Sequence, residues 1–89
     1  MRLHFTEQGW ADYSHWQATD PDILKRLNEL IRDARRSPFA GIGKPEPLVG
    51  SLRGWWSRRA NREHRLVYRV TGQGDAQALE ISACRHHYR

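Results

Sequence analysis

The sequence predicts an α+β fold in which a short N-terminal strand and a helical hairpin pack on an antiparallel β-sheet, in the order β-α-α-β-β-β. Two segments in the first half have apolar residues at helical spacing, whereas the second half alternates between polar and apolar residues as strands do. Helices that come first and strands that come last are typical of α+β domains. The 89 residues predict a single domain spanning 1–89.

The first half of the chain contains one predicted strand and two predicted helices. Residues 2–5 alternate and predict a short strand, and Thr6 then provides an N-cap for a helix over 7–18 with an aromatic face that is expected to pack in the core. Asp20-Pro21 is a typical helix start, and the second helix is expected to end near Arg36, before Pro38. Its apolar stripe comprises Ile23, Leu24, Leu27, Leu30, Ile31 and Ala34.

Residues 37–50 separate the two halves and hold three of the four prolines and three glycines. This composition predicts a loop with neither helix nor strand. Long ordered loops in small domains often carry function, so side chains in this loop are candidates for a site.

The second half contains three segments that are predicted as strands, "LRGWWSRRA", "EHRLVYRV" and "AQALEISACR", with a turn at residues 72–75. Strict alternation in the last segment would place Cys84 on the side of Glu80, opposite Leu79 and Ile81. The arginines of these strands are expected on the face of the sheet that the helices leave uncovered.

The basic charge is concentrated in the second half of the chain. The net charge is +5 with a pI of about 10.1, and 13 of the 15 basic residues are arginine. Residues 1–49 are neutral overall, so residues 50–89 carry the excess. This pattern favours a nucleic-acid partner, although a solvated basic surface explains it equally well. A single cysteine and no apolar leader or membrane segment predict a cytoplasmic protein.

Several kinds of site are disfavoured. The sequence has no glycine-rich nucleotide loop and no dinucleotide fingerprint, and we expect no cofactor. Cys84, His86 and His87 are poorly spaced for a metal, because neighbours on a strand point in opposite directions. A cysteine in a predicted strand is more often a buried thiol than a nucleophile.

The remaining polar residues suit RNA cleavage without a metal. Glu46 lies between Pro45 and Pro47, which stiffen its backbone. The other candidates are Arg58, Arg59, Arg65, His87 and Tyr88. A carboxylate, guanidinium groups, an imidazole and a phenol provide a base, fixed positive charge and an acid around one phosphate. Composition and spacing alone leave a basic RNA-binding module as open as a ribonuclease.

The motifs nevertheless resemble a known family along almost the whole chain. They are "RLHFTEQGWADYSHWQATD", "LNELIRDARRSPFAGIGKPEPL", "GWWSRR", "EHRLVYRV" and "ISACRHHY". In this order they resemble the YoeB branch of the RelE-type bacterial toxins, which are ribosome-dependent mRNA interferases of toxin–antitoxin pairs. The resemblance implies a helical hairpin on an antiparallel sheet.

The resemblance also implies roles for individual residues. It implies that Glu46 is the general base, Arg65 stabilises the transition-state phosphate, His87 is the general acid and Tyr88 orients the substrate. The phosphate contact that it implies for Arg59 is extended here to Arg58, Lys44 and Arg89. The implied partners are mRNA and the ribosome, a YefM/Phd-type antitoxin and a second copy in a homodimer.

The chain departs from the family pattern at three places. Val49 stands where relatives carry lysine, "TGQGDAQ" lengthens the last hairpin, and Arg89 extends the chain beyond Tyr88. The missing cation near Glu46 bears on how strongly the chain holds its substrate there. Two alternatives to a ribosome-dependent nuclease stay open. One is a weak or inactive RNA-binding or ribosome-binding module that acts as antitoxin partner and co-repressor, and the other is a nuclease that works without the ribosome.

Overall fold

The structure, a computed structural model, describes residues 1–86 and contains two helices and a five-stranded sheet. The helices are α1 (Glu7–Thr19) and α2 (Pro21–Arg36). The strands are β1 (Arg2–Phe5), β2 (Glu46–Pro47), β3 (Trp56–Arg59), β4 (Arg65–Thr71) and β5 (Ala78–Ala83). The α+β class and both predicted helices are confirmed. The predictions for His87, Tyr88 and Arg89 concern residues outside the described part of the chain.

Both helices begin at the predicted caps. The Thr6 hydroxyl accepts a hydrogen bond from the Gly9 amide, and the Asp20 carboxylate accepts from the amides of Asp22 and Ile23. These side chains satisfy amides that have no partner within the helix. Asp20 is also the residue that follows α1, so the hairpin turn is as short as the sequence suggests.

The sheet has the strand order β1-β5-β4-β3-β2 and is mixed rather than wholly antiparallel. Strands β3, β4 and β5 pair antiparallel, as predicted, and the short β2 also pairs antiparallel with β3, whereas β1 pairs in parallel with β5. The helical hairpin follows β1 directly and carries the chain to the opposite edge of the sheet, where β2 lies. The neighbour of β1 is therefore β5, the last strand of the chain, and not β2, the next strand in sequence. Alternation predicts that a segment is a strand but does not determine its partner.

The core lies between the helices and one face of β4 and β5. Its fully buried members include Leu27, Leu30, Ala34, Leu66, Tyr68, Leu79 and Ile81. Trp16 joins this core as predicted, but Trp10 remains 53% exposed and stacks on Tyr13 at the surface. The aromatic face of α1 is therefore only partly a core face. No helix within residues 1–86 is both long and apolar enough to cross a membrane.

Two strand predictions need correction. Glu46 and Pro47 form a short edge strand opposite Ser57 and Trp56, within the segment predicted as a loop. An edge strand tolerates prolines because one side of its backbone needs no hydrogen-bond partner. Residues 50–52 form a 3₁₀ turn, so the third strand begins only at Trp56.

A β-bulge breaks the predicted alternation near the end of β5. Val67 pairs with Ala83, but the next residue, Tyr68, pairs with Ile81, which leaves Ser82 as the extra residue. The bulge turns Cys84 into the core beside Ile81, opposite to the predicted side. Burial raises the pKa of the Cys84 thiol to about 12, so the thiol is neutral and unsuited to nucleophilic attack.

Candidate active site

The strand register brings three predicted site residues to one face of the sheet. Glu46 lies opposite Ser57, and Arg59 lies opposite Arg65. Directly opposed residues of antiparallel strands share a face, and Ser57 and Arg59 share one because they are two residues apart. Between them, Arg58 points to α2, so the three site residues lie on the side away from the helices, called here the helix-free face.

Lys44 and Arg59 line a cleft beside this face. The cleft is formed by Arg26, Gly43, Lys44, Arg59, Ala60, Asn61 and Arg62. The Arg59 amide donates to the Gly43 carbonyl at 2.7 Å, which holds the loop against the end of β3. Four of these side chains are cations, and such a concentration of positive charge attracts phosphate.

Arg58 is placed differently from its neighbour, and its predicted phosphate contact is wrong. Its side chain is fully buried, and all five of its N–H donors are used inside the protein. Nε donates to the Tyr68 hydroxyl at 2.9 Å, and Nη1 donates to Asp33 at 2.7 Å and to the Ile42 carbonyl at 3.1 Å. Nη2 donates to the carbonyls of Ser37 and Ala40.

The Asp33–Arg58 pair therefore anchors the segment that leads to Glu46. Asp33 lies on α2 and also accepts a hydrogen bond from the Ile42 amide at 3.0 Å. The hydrogen bond from Arg58, with smaller contributions from Ile42 and Arg36, lowers the pKa of Asp33 to about 2. A buried ion pair with satisfied donors gives the loop a fixed geometry, which the sequence composition did not indicate.

Arg65 differs from both Arg58 and Arg59 in its burial and in its pairing. It is half-buried at the start of β4, and its Nε makes no hydrogen bond to any residue among 1–86. Its backbone amide donates to the His86 carbonyl at 3.0 Å. This bond brings the C-terminal segment to the strand that carries Arg65, next to the helix-free face.

Three side chains hold the C-terminal segment after β5. Asp12 accepts from the Cys84 amide at 3.0 Å, and the Trp16 indole donates to the Cys84 carbonyl at 2.8 Å. His64 Nδ1 accepts from the His86 amide at 2.7 Å. The structure thus fixes the chain up to the residue before His87 and Tyr88.

Sequence reasoning missed Asp12 and His64. Asp12 lies four residues before Trp16 and therefore on the same helical face, where a carboxylate among aromatic residues indicates a buried hydrogen bond. His64 belongs to the quoted motif "EHRLVYRV", but nothing local distinguishes it from a surface histidine. Within residues 1–86, no three His, Cys, Asp or Glu side chains are grouped as metal ligands would be.

A comparison with protein families agrees with this arrangement. Residues 5–88 match the family described as the YoeB-like toxin of bacterial type II toxin–antitoxin systems. The chain belongs to this family. The resemblance noted in the sequence is confirmed over nearly the whole chain.

Individual YoeB relatives match end to end. The toxin YoeB of Escherichia coli K12 is 56% identical over 88 residues, which cover 99% of this chain and all of that protein. The solved YoeB/ParE toxin from Agrobacterium tumefaciens is 55% identical, with a TM-score of 0.94 over 99% of this chain and all of that one. A YoeB dimer and a YoeB–YefM complex from Staphylococcus aureus are each 39% identical, with TM-scores of 0.84 and 0.85 over 99% of this chain and 98% of those chains.

Proposed function

We propose that this YoeB-family toxin is a ribosome-dependent mRNA endoribonuclease that cleaves the message in the ribosomal A site and so inhibits translation. The observation that carries the proposal is the common face of Glu46, Arg59 and Arg65, which follows from the pairing of β2, β3 and β4. A carboxylate beside two guanidinium groups can accept a proton and stabilise negative charge on phosphate at the same place.

The proposed reaction is an internal transfer within the message. Glu46 accepts the proton of a ribose 2′-OH, and the 2′-oxygen attacks the adjacent phosphorus. Arg65 stabilises the charge on the phosphorane-like transition state. The bond from phosphorus to the 5′-oxygen breaks, and His87 protonates that oxygen. The products are a 2′,3′-cyclic phosphate and a 5′-hydroxyl end, and no cofactor takes part.

Tyr88 and three basic residues complete the proposed site. Tyr88 orients the substrate at the cleaved position, because a phenol can stack on a base and also form a hydrogen bond. Arg59 and Lys44 contact phosphates of the message or of ribosomal RNA, since both are exposed at the basic cleft. Arg89 adds a phosphate contact in this proposal.

The proposed partners follow from the relatives. The YoeB–YefM complex from Staphylococcus aureus supports a YefM/Phd-type antitoxin as the partner that neutralises this chain. The YoeB dimer from the same species supports a homodimer. The ribosome positions the message against the helix-free face, which places the protein in the cytoplasm.

The test is cell-free translation of a defined message, with RNA 5′ ends mapped by primer extension. Wild-type protein is expected to cut only when ribosomes are present. Arg65→Ala and His87→Ala should lose the most activity, roughly 10²- to 10⁴-fold, because they remove charge stabilisation and the acid. Glu46→Ala should also cut more slowly. Deletion of residues 87–89 should abolish cleavage without changing the melting temperature.

Matched controls use exposed charges elsewhere. Asp75→Ala removes a carboxylate from the turn before β5, and Arg32→Ala removes a guanidinium from α2, so both should cut like the wild type. No cuts from folded wild-type protein would indicate a binding module that acts only as antitoxin partner and co-repressor. Equal cutting of the free message would instead exclude dependence on the ribosome.

A further inference from the structure

His64 connects the start of β4 to the C-terminal segment, although it precedes β4 and lies 22 residues from its partner in sequence. Its Nδ1 accepts the His86 amide at 2.7 Å, and its side chain is only 8% exposed. The neighbouring Arg65 amide donates to the His86 carbonyl. Both backbone polar groups of residue 86 are thus paired with adjacent residues at the start of β4.

The ring of His64 is held on its other sides by packing. It lies edge-on to Trp16 with ring centroids 4.6 Å apart, and 5.4 Å from the His86 ring. Its Nε2 lies 3.8 Å from the exposed Glu63 carboxylate. A ring fixed in this way presents Nδ1 to one amide only, which requires the tautomer that carries its proton on Nε2.

We propose that His64 is a positioning residue, which anchors His86 and thereby sets where the following residues, His87 and Tyr88, meet the substrate. The proposal rests on the nuclease function proposed above. Residue 86 is the last before the proposed acid, so its two hydrogen bonds define the point from which the terminal side chains extend. Misplacement of a catalytic group by about 1 Å can lower a rate roughly a hundredfold.

The anchor should depend on pH, because a protonated imidazole cannot accept the amide. Burial lowers the pKa of His64, and the charges of His86 and Arg85 lower it further, while Glu63 and Asp20 oppose them. Since the folded-state pKa lies below the ordinary value of 6.5, the anchor is intact above that pH. It is lost as pH falls through the lowered folded-state value.

Two substitutions distinguish the contribution of the hydrogen-bond acceptor of His64 from that of its aromatic ring. His64→Phe keeps an aromatic ring beside Trp16 but removes Nδ1, whereas His64→Asn loses the ring and offers Oδ1 near the position of Nδ1. Hydrogen exchange of the His86 amide, followed by NMR, measures the anchor without any cleavage. We expect a lower protection factor for this amide in His64→Phe than in the wild type and His64→Asn. In the wild type, the protection factor should fall as pH drops through the lowered folded-state pKa of His64.

Ribosome-dependent cleavage provides the second readout. His64→Phe should lower kcat about tenfold or more with little change in KM, whereas His64→Asn should retain most of the kcat and keep it to lower pH than the wild type. Equal exchange of the His86 amide in the wild type and His64→Phe would overturn the proposal, as would equal losses of kcat in both variants. Absence of cleavage by the wild type would refute the nuclease function, while the exchange measurement would still decide the anchor.

Discussion

At the scale of single residues, Arg58 and Arg59 show how differently two adjacent arginines can be used. Arg58 is fully buried and ion-paired with Asp33, and Arg59 is exposed at the basic cleft. A buried guanidinium is tolerated only when its charge and all of its donors are satisfied. Arg58 therefore stabilises the fold, whereas Arg59 is available for phosphate.

This contrast predicts that replacing Arg58 lowers the stability of the fold, whereas replacing Arg59 weakens RNA binding and leaves stability nearly unchanged. Arg58→Met leaves Asp33 without its main partner and removes the hydrogen bonds to three loop carbonyls, so we expect a loss of about 3–5 kcal/mol in the free energy of unfolding. Arg59→Met should change that free energy by less than about 0.5 kcal/mol but weaken RNA binding. Urea denaturation measures the first effect, and equal midpoints would refute the assignment.

At the scale of elements, the loop before Glu46 is positioned by close packing as well as by Arg58. Gly43 has a φ of 80° and lies so near α2 that an added Cβ would be 2.6 Å from Cδ2 of Leu30 and 3.2 Å from Cβ of Arg58. Only glycine combines this backbone conformation with this approach. The loop is therefore held against the helix that it crosses, three residues before β2 begins at Glu46.

Gly43→Ala is expected to destabilise the protein more than Gly54→Ala. Gly54 also has a positive φ of 96°, but no heavy atom lies within 4 Å of the position that an added Cβ would occupy. Gly54→Ala therefore measures only the cost of holding a residue with a Cβ at positive φ. That cost is about 1–2 kcal/mol, to which Gly43→Ala adds the displacement of Leu30 and Arg58. Thermal unfolding of the two variants would contradict this account if the melting temperatures were equal.

At the scale of the whole molecule, the helix-free face combines contributions from distant parts of the chain. Glu46 comes from β2, Arg59 from β3 and Arg65 from β4. The C-terminal segment reaches the same region because α1 and His64 hold it there. The integrity of the proposed site is therefore linked to the global fold, and conditions that weaken one should weaken the other.

Acid should weaken the whole molecule through Asp33. The Arg58 guanidinium lowers the pKa of Asp33 from 3.8 to about 2, so the pair contributes stability above pH 3.8 that is lost as pH falls toward 2. A shift of this size corresponds to about 2 kcal/mol. Urea denaturation between pH 5 and 2 should show this loss in the wild type and not in Asp33→Asn. The same pH slope in both proteins would contradict it.

The sequence by itself determined the features that depend on neighbours along the chain. Caps and apolar spacing predicted α1 and α2, and the alternating segments predicted β3, β4 and β5. The basic second half and the family motifs identified Glu46, Arg59 and Arg65 as candidates. These signals are local, because capping, turns and periodicity act within a few residues.

Only the tertiary structure decided which faces and partners these elements have. It paired β1 with β5, placed a bulge at Ser82 that turned Cys84 into the core, and buried Arg58 beside an exposed Arg59. It also revealed the contacts of Asp12 and His64 with the C-terminal segment. Each depends on residues far apart in sequence, so side-chain chemistry and spacing alone could not predict it.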